Sequence, residues 1–213
     1  AEEYWPGPLT MIFEKNEKVP YGTTGGLNTV AVRMPSHEIA RAVIDAGGGY
    51  IAAPSANTSG RPSPTAAEHV KEDMDGRIDM IVDGGDVEIG VESTILDMTV
   101  TPPMILRPGA VTKEMLEDLI GEVAEDVALI DPDSKKKPKA PGMKYRHYAP
   151  KAELLIVEGK MDQVIETINR MAKEQISKGY KVGIIGTEES VASYKEGDVK
   201  SIGTREDEST IAV

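Results

Sequence analysis

The sequence has 213 residues, 39% hydrophobic and 28% charged, which is typical of a globular protein with one large domain or two small ones. It contains no cysteine, which excludes disulfides, thiolate metal sites and a cysteine nucleophile. The net charge of −12 argues against a dedicated nucleic-acid binder, because phosphate contacts require clustered Lys and Arg. No segment approaches the length of a membrane span, so we expect a cytoplasmic protein without membrane contact.

The first 121 residues predict alternating strands and helices. Short apolar or alternating runs predict six strands, at residues 9–16, 28–35, 50–54, 78–85, 92–99 and 104–109. Helical spacing predicts three helices: 36–49 with Ser36 as N-cap and Gly47 as its stop, 63–76 with a Thr65–Glu68 capping box, and 112–121. This alternation predicts an α/β fold.

A second domain is predicted after residue 150. Residues 131–150, "DPDSKKKPKAPGMKYRHYAP", hold too many Pro and Lys for a regular element and predict a basic linker. A strand at 153–159, a helix at 161–179 and a strand at 180–187 follow, and they predict a βαβ unit of Rossmann-like handedness. We therefore place the main domain at 1–130, the linker at 131–150 and a small domain at 151–213.

The segment "YIAAPSANTSGRPSPT", residues 50–65, is rich in hydroxyls and holds one charge, Arg61. It leads from a predicted strand into a predicted helix start, where free N–H groups and the helix dipole favour an anion. Small hydroxyl side chains would let the backbone close around a phosphate. A Ser/Pro-rich turn with ordinary capping explains the same composition, and no Walker motif or G-x-G-x-x-G decides between the two.

Six motifs in chain order resemble one family. They are "WPGPLT", "VAVRMP", "APSANTSGRPSPT", "ESTILD", "LRPGAVT" and "APGMKYRHYAP". Together they resemble the two-domain form of the YrdC-like threonylcarbamoyl-AMP synthases, densely over residues 4–150. The resemblance implies a YrdC-like twisted mixed sheet with helices, a basic linker and a partial Rossmann-like βαβ second domain.

The resemblance also implies site residues. Arg33, Ala53 and Ser93 would bind L-threonine, with the Arg33 guanidinium fork on the threonine carboxylate. The residues that would hold ATP and its phosphates are Thr29, Ser55, Ser63, Arg107 and, in the linker, Tyr145. Asn57 would fix the loop rather than touch a ligand. No catalytic nucleophile is implied.

The family condenses L-threonine, bicarbonate and ATP to threonylcarbamoyl-AMP and pyrophosphate, which downstream proteins use to modify adenosine in tRNA. Such a reaction depends on positioning and on neutralising charge. Mg²⁺ is expected with ATP. The three histidines have no metal-ligand spacing, so we expect no protein-held metal.

Three expectations stay open beside this interpretation. In the resembled family a segment before the W-P-G-P-L motif and further C-terminal helices complete the protein, so we expect this chain alone to be impaired. The basic and aromatic linker could instead serve a non-catalytic RNA-binding module, although the net charge makes direct RNA binding unfavourable. A protein that binds threonine or a nucleotide without turnover is the third alternative.

Overall fold

The computed structural model describes residues 1–126 and 152–205. The chain divides into two compact units, Ala1–Pro150 and Lys151–Val213, and each is described by itself. No helix among the described residues is both long and apolar enough to cross a bilayer.

The first unit is built on a five-stranded sheet of order β2-β1-β3-β4-β5. The strands are β1 (Leu9–Glu14), β2 (Thr29–Val32), β3 (Thr94–Asp97), β4 (Met104–Arg107) and β5 (Ala124–Glu125). The pairs β1–β2 and β3–β4 are antiparallel, whereas β1–β3 and β4–β5 are parallel. The predicted α/β fold with a mixed sheet is therefore confirmed, although β5 was not predicted.

The two faces of this sheet carry separate apolar clusters, because successive strand residues point to opposite sides. On one face Met11 and Leu96 pack with Leu116 of α3 (Lys113–Ile120). The other face carries Ile12 and Ile95, packed with Leu106. The sheet is therefore held from both sides, and α3 belongs to the first face.

Helix α3 begins as predicted, since the Thr112 hydroxyl accepts a hydrogen bond from the Met115 N–H at 3.3 Å. The other two predicted caps are wrong. Helix α1 (Glu38–Ala46) has His37 rather than Ser36 at its N-cap, although it ends at Gly47 as expected.

Helix α2 (Ala67–Met74) has Ala66 at its N-cap, so the predicted capping box does not form. The Thr65 N–H donates instead to Nδ1 of His69 at 3.4 Å. The helix starts two residues after the predicted cap, which takes Thr65 out of the N-cap position.

Two predicted strands of the first unit are wrong. Residues 50–54 and 78–85 form neither strand nor helix. Their side chains are partly open, with Ile51 48% and Val82 58% exposed. A strand requires a ladder of hydrogen bonds, and these apolar runs have no neighbouring strand in the described sheet.

The second unit contains helix α4 (Met161–Ser177), strand β6 (Gly183–Gly186), helix α5 (Glu188–Val191) and strand β7 (Asp198–Ser201). Strands β6 and β7 are parallel and joined through α5, which makes a βαβ unit. The predicted strand at 153–159 is wrong, because that segment has no ladder, and its Ile156 is 81% exposed. The βαβ unit therefore arises from β6 and β7 instead.

Candidate functional site

A serine and an arginine contact each other directly where β3 begins and β4 ends. Ser93 is buried, and its carbonyl oxygen accepts hydrogen bonds from Nε and Nη2 of Arg107 at 3.1 and 2.9 Å. Nη2 also donates to the Ser93 hydroxyl at 3.2 Å. One residue predicted for the threonine pocket and one predicted for ATP thus share one cluster.

Thr10 of β1 completes this cluster from the other side. Its hydroxyl lies 2.7 Å from that of Ser93, and either oxygen can be the donor. Both side chains lie on the sheet face opposite α3, because Thr10 is two residues before Ile12 and Ser93 is two before Ile95. We call Thr10, Ser93 and Arg107 the hydroxyl–arginine cluster.

Arg33 falls beside this cluster. The last paired residues of β1 and β2 at this end are Met11 and Val32, so Arg33 is the next residue beside Thr10. The N–H of Gly7 donates to the Met34 carbonyl at 2.8 Å, which continues the alignment. Arg33 is exposed and forms no ion pair with any residue of the described ranges, so its guanidinium is available to an anion.

Gly109 packs closely against the backbone on both sides of Ser93. Thr94 is fully buried and its hydroxyl donates to the Val111 carbonyl at 2.6 Å, which fastens the chain after β4 to β3. A Cβ at Gly109 would lie 2.4 Å from the Glu92 carbonyl oxygen and 2.5 Å from the Thr94 nitrogen. Only glycine permits this close approach.

Thr29 lies at the opposite end of β2, paired with Glu14. Arg33 lies four positions further along the chain than Thr29, which corresponds to roughly 13 Å in an extended strand. Thr29 lines an open cavity of about 710 Å³ together with Lys15, Tyr21 and Thr99. A ligand that touches both ends of the strand must therefore be extended.

The hydroxyl-rich loop is fixed by its own residues. Nδ2 of Asn57 donates to the carbonyls of Thr58 and Arg61 at 3.0 and 3.1 Å, as predicted for a residue that fixes the loop. Gly60 has a φ of +88°, which favours glycine in this turn.

Asp73 of α2 anchors the same loop from outside. Its carboxylate accepts from the Thr58 N–H at 3.1 Å and forms an ion pair with Arg61. The Asp73 side chain is only 5% exposed. Arg61 therefore serves the loop itself, as one half of this clasp between loop and helix.

The loop residues predicted to bind ligands are exposed or half-buried. Ser55 and Ala53 are exposed and Ser63 is half-buried. Within the described part of the chain, neither serine hydroxyl has a hydrogen-bond partner, so neither is hydrogen-bonded to the hydroxyl–arginine cluster. Tyr145 lies outside the described residues.

Sequence reasoning missed Thr10 and Asp73. Thr10 stands in the "WPGPLT" motif between two residues of the apolar core, and a lone hydroxyl in such a strand is a signal that could have been read. Asp73 carried no comparable signal, because an acid on an amphipathic helix is ordinary. Residues 1–126 and 152–205 contain no cluster of three side chains that could hold a metal ion.

The first unit is therefore an α/β domain whose mixed sheet carries a polar cluster at one end. Two family models match this chain: Sua5_yciO_yrdC, described as "Telomere recombination", over residues 1–109, and "Threonylcarbamoyl-AMP synthase, C-terminal domain" over residues 111–213. The chain therefore belongs to the Sua5/YciO/YrdC family, in its two-domain form. The resemblance inferred from the motifs is confirmed.

Named relatives agree with this assignment. The chain is 50% identical over 203 residues to the threonylcarbamoyl-AMP synthase of Pyrococcus abyssi (strain GE5 / Orsay), covering 95% of this chain and 58% of that protein. It is 48% identical over 212 residues to that of Bacillus subtilis (strain 168), covering 99% and 60%. The chain thus spans about 60% of the length of these relatives.

A solved structure has the same fold. The crystal structure of P. abyssi Sua5 complexed with L-threonine matches with a TM-score of 0.87 and 47% identity, covering 99% of this chain and 60% of that one. The two chains are therefore similar in sequence as well as in fold.

Proposed function

We propose that this chain contributes the threonine- and ATP-binding parts of a threonylcarbamoyl-AMP synthase, a nucleotidyltransferase that consumes L-threonine, bicarbonate and ATP. The observation that carries the proposal is the direct contact between Ser93 and Arg107. It joins a residue predicted to bind L-threonine to a residue predicted to bind ATP. The relatives are named for this synthesis, which favours the enzyme over an RNA-binding or purely ligand-binding module.

Threonine is held by Arg33 and Ser93 in this proposal. The planar guanidinium of Arg33 suits a bidentate contact with the threonine carboxylate. Ser93 offers its hydroxyl to the same substrate, and Ala53 lines the pocket through its backbone. The likeness to a structure complexed with L-threonine supports this substrate.

ATP is held along the sheet and by the loop. Thr29 and Arg107 contact it from the sheet, and Ser55 and Ser63 contact it from the hydroxyl-rich loop, with Tyr145 added from the linker. The roughly 13 Å between Thr29 and Arg33 suits an extended nucleotide that lies beside threonine. Mg²⁺ enters as part of the MgATP substrate, because it is usually bound through substrate phosphates.

The chemistry needs orientation rather than a protein nucleophile. The amine nitrogen of threonine attacks the carbon of bicarbonate, and water is lost to give a carbamate. A carbamate oxygen then attacks the α-phosphorus of ATP, and the bond to the β-phosphate oxygen breaks to release pyrophosphate. Arg107 would offset charge on the phosphates, while Arg33 and Ser93 hold the amino acid in line.

The place of the reaction and the domain limits are part of the same proposal. The product passes to proteins that modify adenosine in tRNA, in the cytoplasm. The limits of 130 and 150 for the linker remain a proposal, since the linker lies outside the described residues.

Titration calorimetry with L-threonine in the presence of MgATP tests the threonine pocket. It is performed on this chain and on a chimera in which the chain replaces the aligned part of the Pyrococcus abyssi relative. In the form that binds, Arg33→Ala weakens L-threonine affinity about tenfold or more, because a charge-assisted pair is lost. Arg41→Ala, an exposed arginine of α1, leaves the affinity unchanged. Equal affinity in both variants contradicts the assignment of Arg33.

A further inference from the structure

We propose that Thr10 is a positioning residue of the threonine pocket: its hydroxyl fixes how Ser93 presents a single O–H to the substrate. This inference rests on the proposed function. It concerns a residue that neither the resemblance nor the relatives' names assign. The starting point is the 2.7 Å contact between the hydroxyls of Thr10 and Ser93.

The contact lies in a place where polar groups have few partners. Ser93 is 6% exposed, whereas Thr10 is half-buried. Thr10 turns its side chain to the sheet face opposite α3, toward Ser93. The buried Ser93 hydroxyl must be satisfied by its neighbours, because burying it without a partner costs about 1–3 kcal/mol, and Thr10 is one of those neighbours.

The donors and acceptors of the pair can be counted. Each hydroxyl has one proton and two lone pairs. Nη2 of Arg107 donates to the Ser93 oxygen and uses one lone pair. The bond between the two hydroxyls uses one proton and one further lone pair, whichever residue donates. The pair is therefore left with one O–H and two lone pairs.

Arg107 uses one lone pair of Ser93, so the direction of the bond with Thr10 decides where the remaining proton lies. Arginine cannot accept, so Ser93 can only receive from it. When Thr10 donates to Ser93, both lone pairs of Ser93 accept hydrogen bonds and its own O–H is free to donate. Ser93 then presents one donor and no acceptor, which matches a carboxylate oxygen of L-threonine beside Arg33.

Without the Thr10 hydroxyl this order is lost. Thr10→Val keeps the shape of the side chain and removes its proton and lone pairs. One lone pair of Ser93 then has no hydrogen-bond donor, and its O–H can rotate away from the substrate. Thr10→Ser keeps the hydroxyl and removes only a methyl group, so it restores the arrangement.

Steady-state kinetics of pyrophosphate release in the chimera test the inference. We expect Thr10→Val to raise KM for L-threonine about fivefold, the equivalent of one net hydrogen bond, and to leave KM for ATP within about twofold. Thr10→Ser keeps KM for L-threonine near that of the unsubstituted protein. Thr23→Val, a change in an exposed loop, is the control.

A double-mutant cycle separates a role through Ser93 from a general packing effect. In an Ser93→Ala background, Thr10→Val adds no further change in KM for L-threonine, because its action passes through Ser93. Additive effects overturn the inference, as does an unchanged KM in Thr10→Val or an equal defect in Thr10→Ser. An unsubstituted chimera that releases no pyrophosphate overturns the proposed function. An active chimera in which Thr10→Val has no effect overturns only the role of Thr10.

Discussion

The guanidinium of Arg107 donates two hydrogen bonds to the carbonyl oxygen of Ser93, from Nε at 3.1 Å and from Nη2 at 2.9 Å. This contact joins the end of β4 to the residue before β3, next to the irregular register between Ile95 and Leu96. Half of the arginine fork is thus occupied by the protein itself. Nη1 has no partner among the residues that the structure describes and remains for a phosphate.

Arg107→Lys tests this division of the arginine fork. Lysine keeps the charge but has no planar fork, so it cannot hold the Ser93 carbonyl and a phosphate together. We expect kcat/KM for ATP to fall at least about tenfold, since a charge-assisted hydrogen bond contributes about 1.5–3 kcal/mol. Arg77→Lys, at an exposed position, leaves the kinetics unchanged. An Arg107→Lys enzyme with normal kcat/KM would show that charge alone suffices.

Gly109→Ala tests the backbone that positions Ser93. The added Cβ would meet the Glu92 carbonyl and the Thr94 nitrogen at 2.4 and 2.5 Å, so the chain at Ser93 must move. Because a displacement of about 1 Å can cost about 100-fold in rate, we expect kcat/KM for L-threonine to fall by at least tenfold. Gly22→Ala is the matched control, because a Cβ there meets nothing within 4 Å. Equal kinetics in both variants would contradict the close approach at Gly109.

Asp73→Asn tests the clasp on the hydroxyl-rich loop. The substitution keeps the shape but removes the charge that pairs with Arg61, in a side chain that is 5% exposed. We expect unfolding in urea to show a loss of about 1–3 kcal/mol. Glu72→Gln is the control, because Glu72 lies 3.8 Å from Arg61 and is 66% exposed.

The same variant separates stability from ligand binding. A looser loop moves Ser55 and Ser63, so KM for ATP should rise in Asp73→Asn and stay unchanged in Glu72→Gln. A stable Asp73→Asn protein with unchanged KM would mean that the clasp does not shape the loop.

Glu189 in the second unit provides a prediction on pH. The nearby hydroxyl of Thr187, and then hydrogen bonds from the Thr204 hydroxyl and the Arg205 N–H, lower the pKa of its carboxyl from the ordinary 4.5 to about 2. A lowered pKa means that the contacts stabilise the folded state above pH 4.5 and are lost as the pH falls from 4.5 towards 2.

Carbon NMR of the Glu189 carboxyl checks this pKa, and a titration midpoint near 4.5 would contradict the contacts. Glu189→Gln should lower the thermal stability of the unit near pH 7 relative to Glu188→Gln, the neighbouring control. The difference between these variants should shrink as the pH falls below 4.5.

The sequence predicted those elements whose pattern is local. Strands β1 to β4 and helices α3 and α4 have clear alternation or helical spacing, and all of them are present. Residues 50–54, 78–85 and 153–159 have equally apolar runs without a ladder. An apolar run cannot tell whether a partner strand exists, because strand pairing depends on distant parts of the chain.

The candidate site was predicted through its motifs rather than its geometry. Ser93 and Arg107 were named from the resemblance, and the structure brings them together across 14 residues of sequence. The contact of Thr10 with Ser93 spans 83 residues, and that of Thr58 with Asp73 spans 15. Contacts of this kind arise only in the folded chain, so the local pattern could single out Thr10 as a lone hydroxyl in an apolar strand but could not name its partner. No local pattern singled out Asp73.

The central claim is that the sheet and loop described above support threonylcarbamoyl-AMP synthesis. Its most direct test is pyrophosphate release from ATP by the chain and by the chimera, with L-threonine and bicarbonate each omitted in turn. We predict that the chimera releases pyrophosphate only when both are present and that this chain alone does so more slowly or not at all. Release by the chimera without L-threonine, or none with every substrate present, would contradict the account.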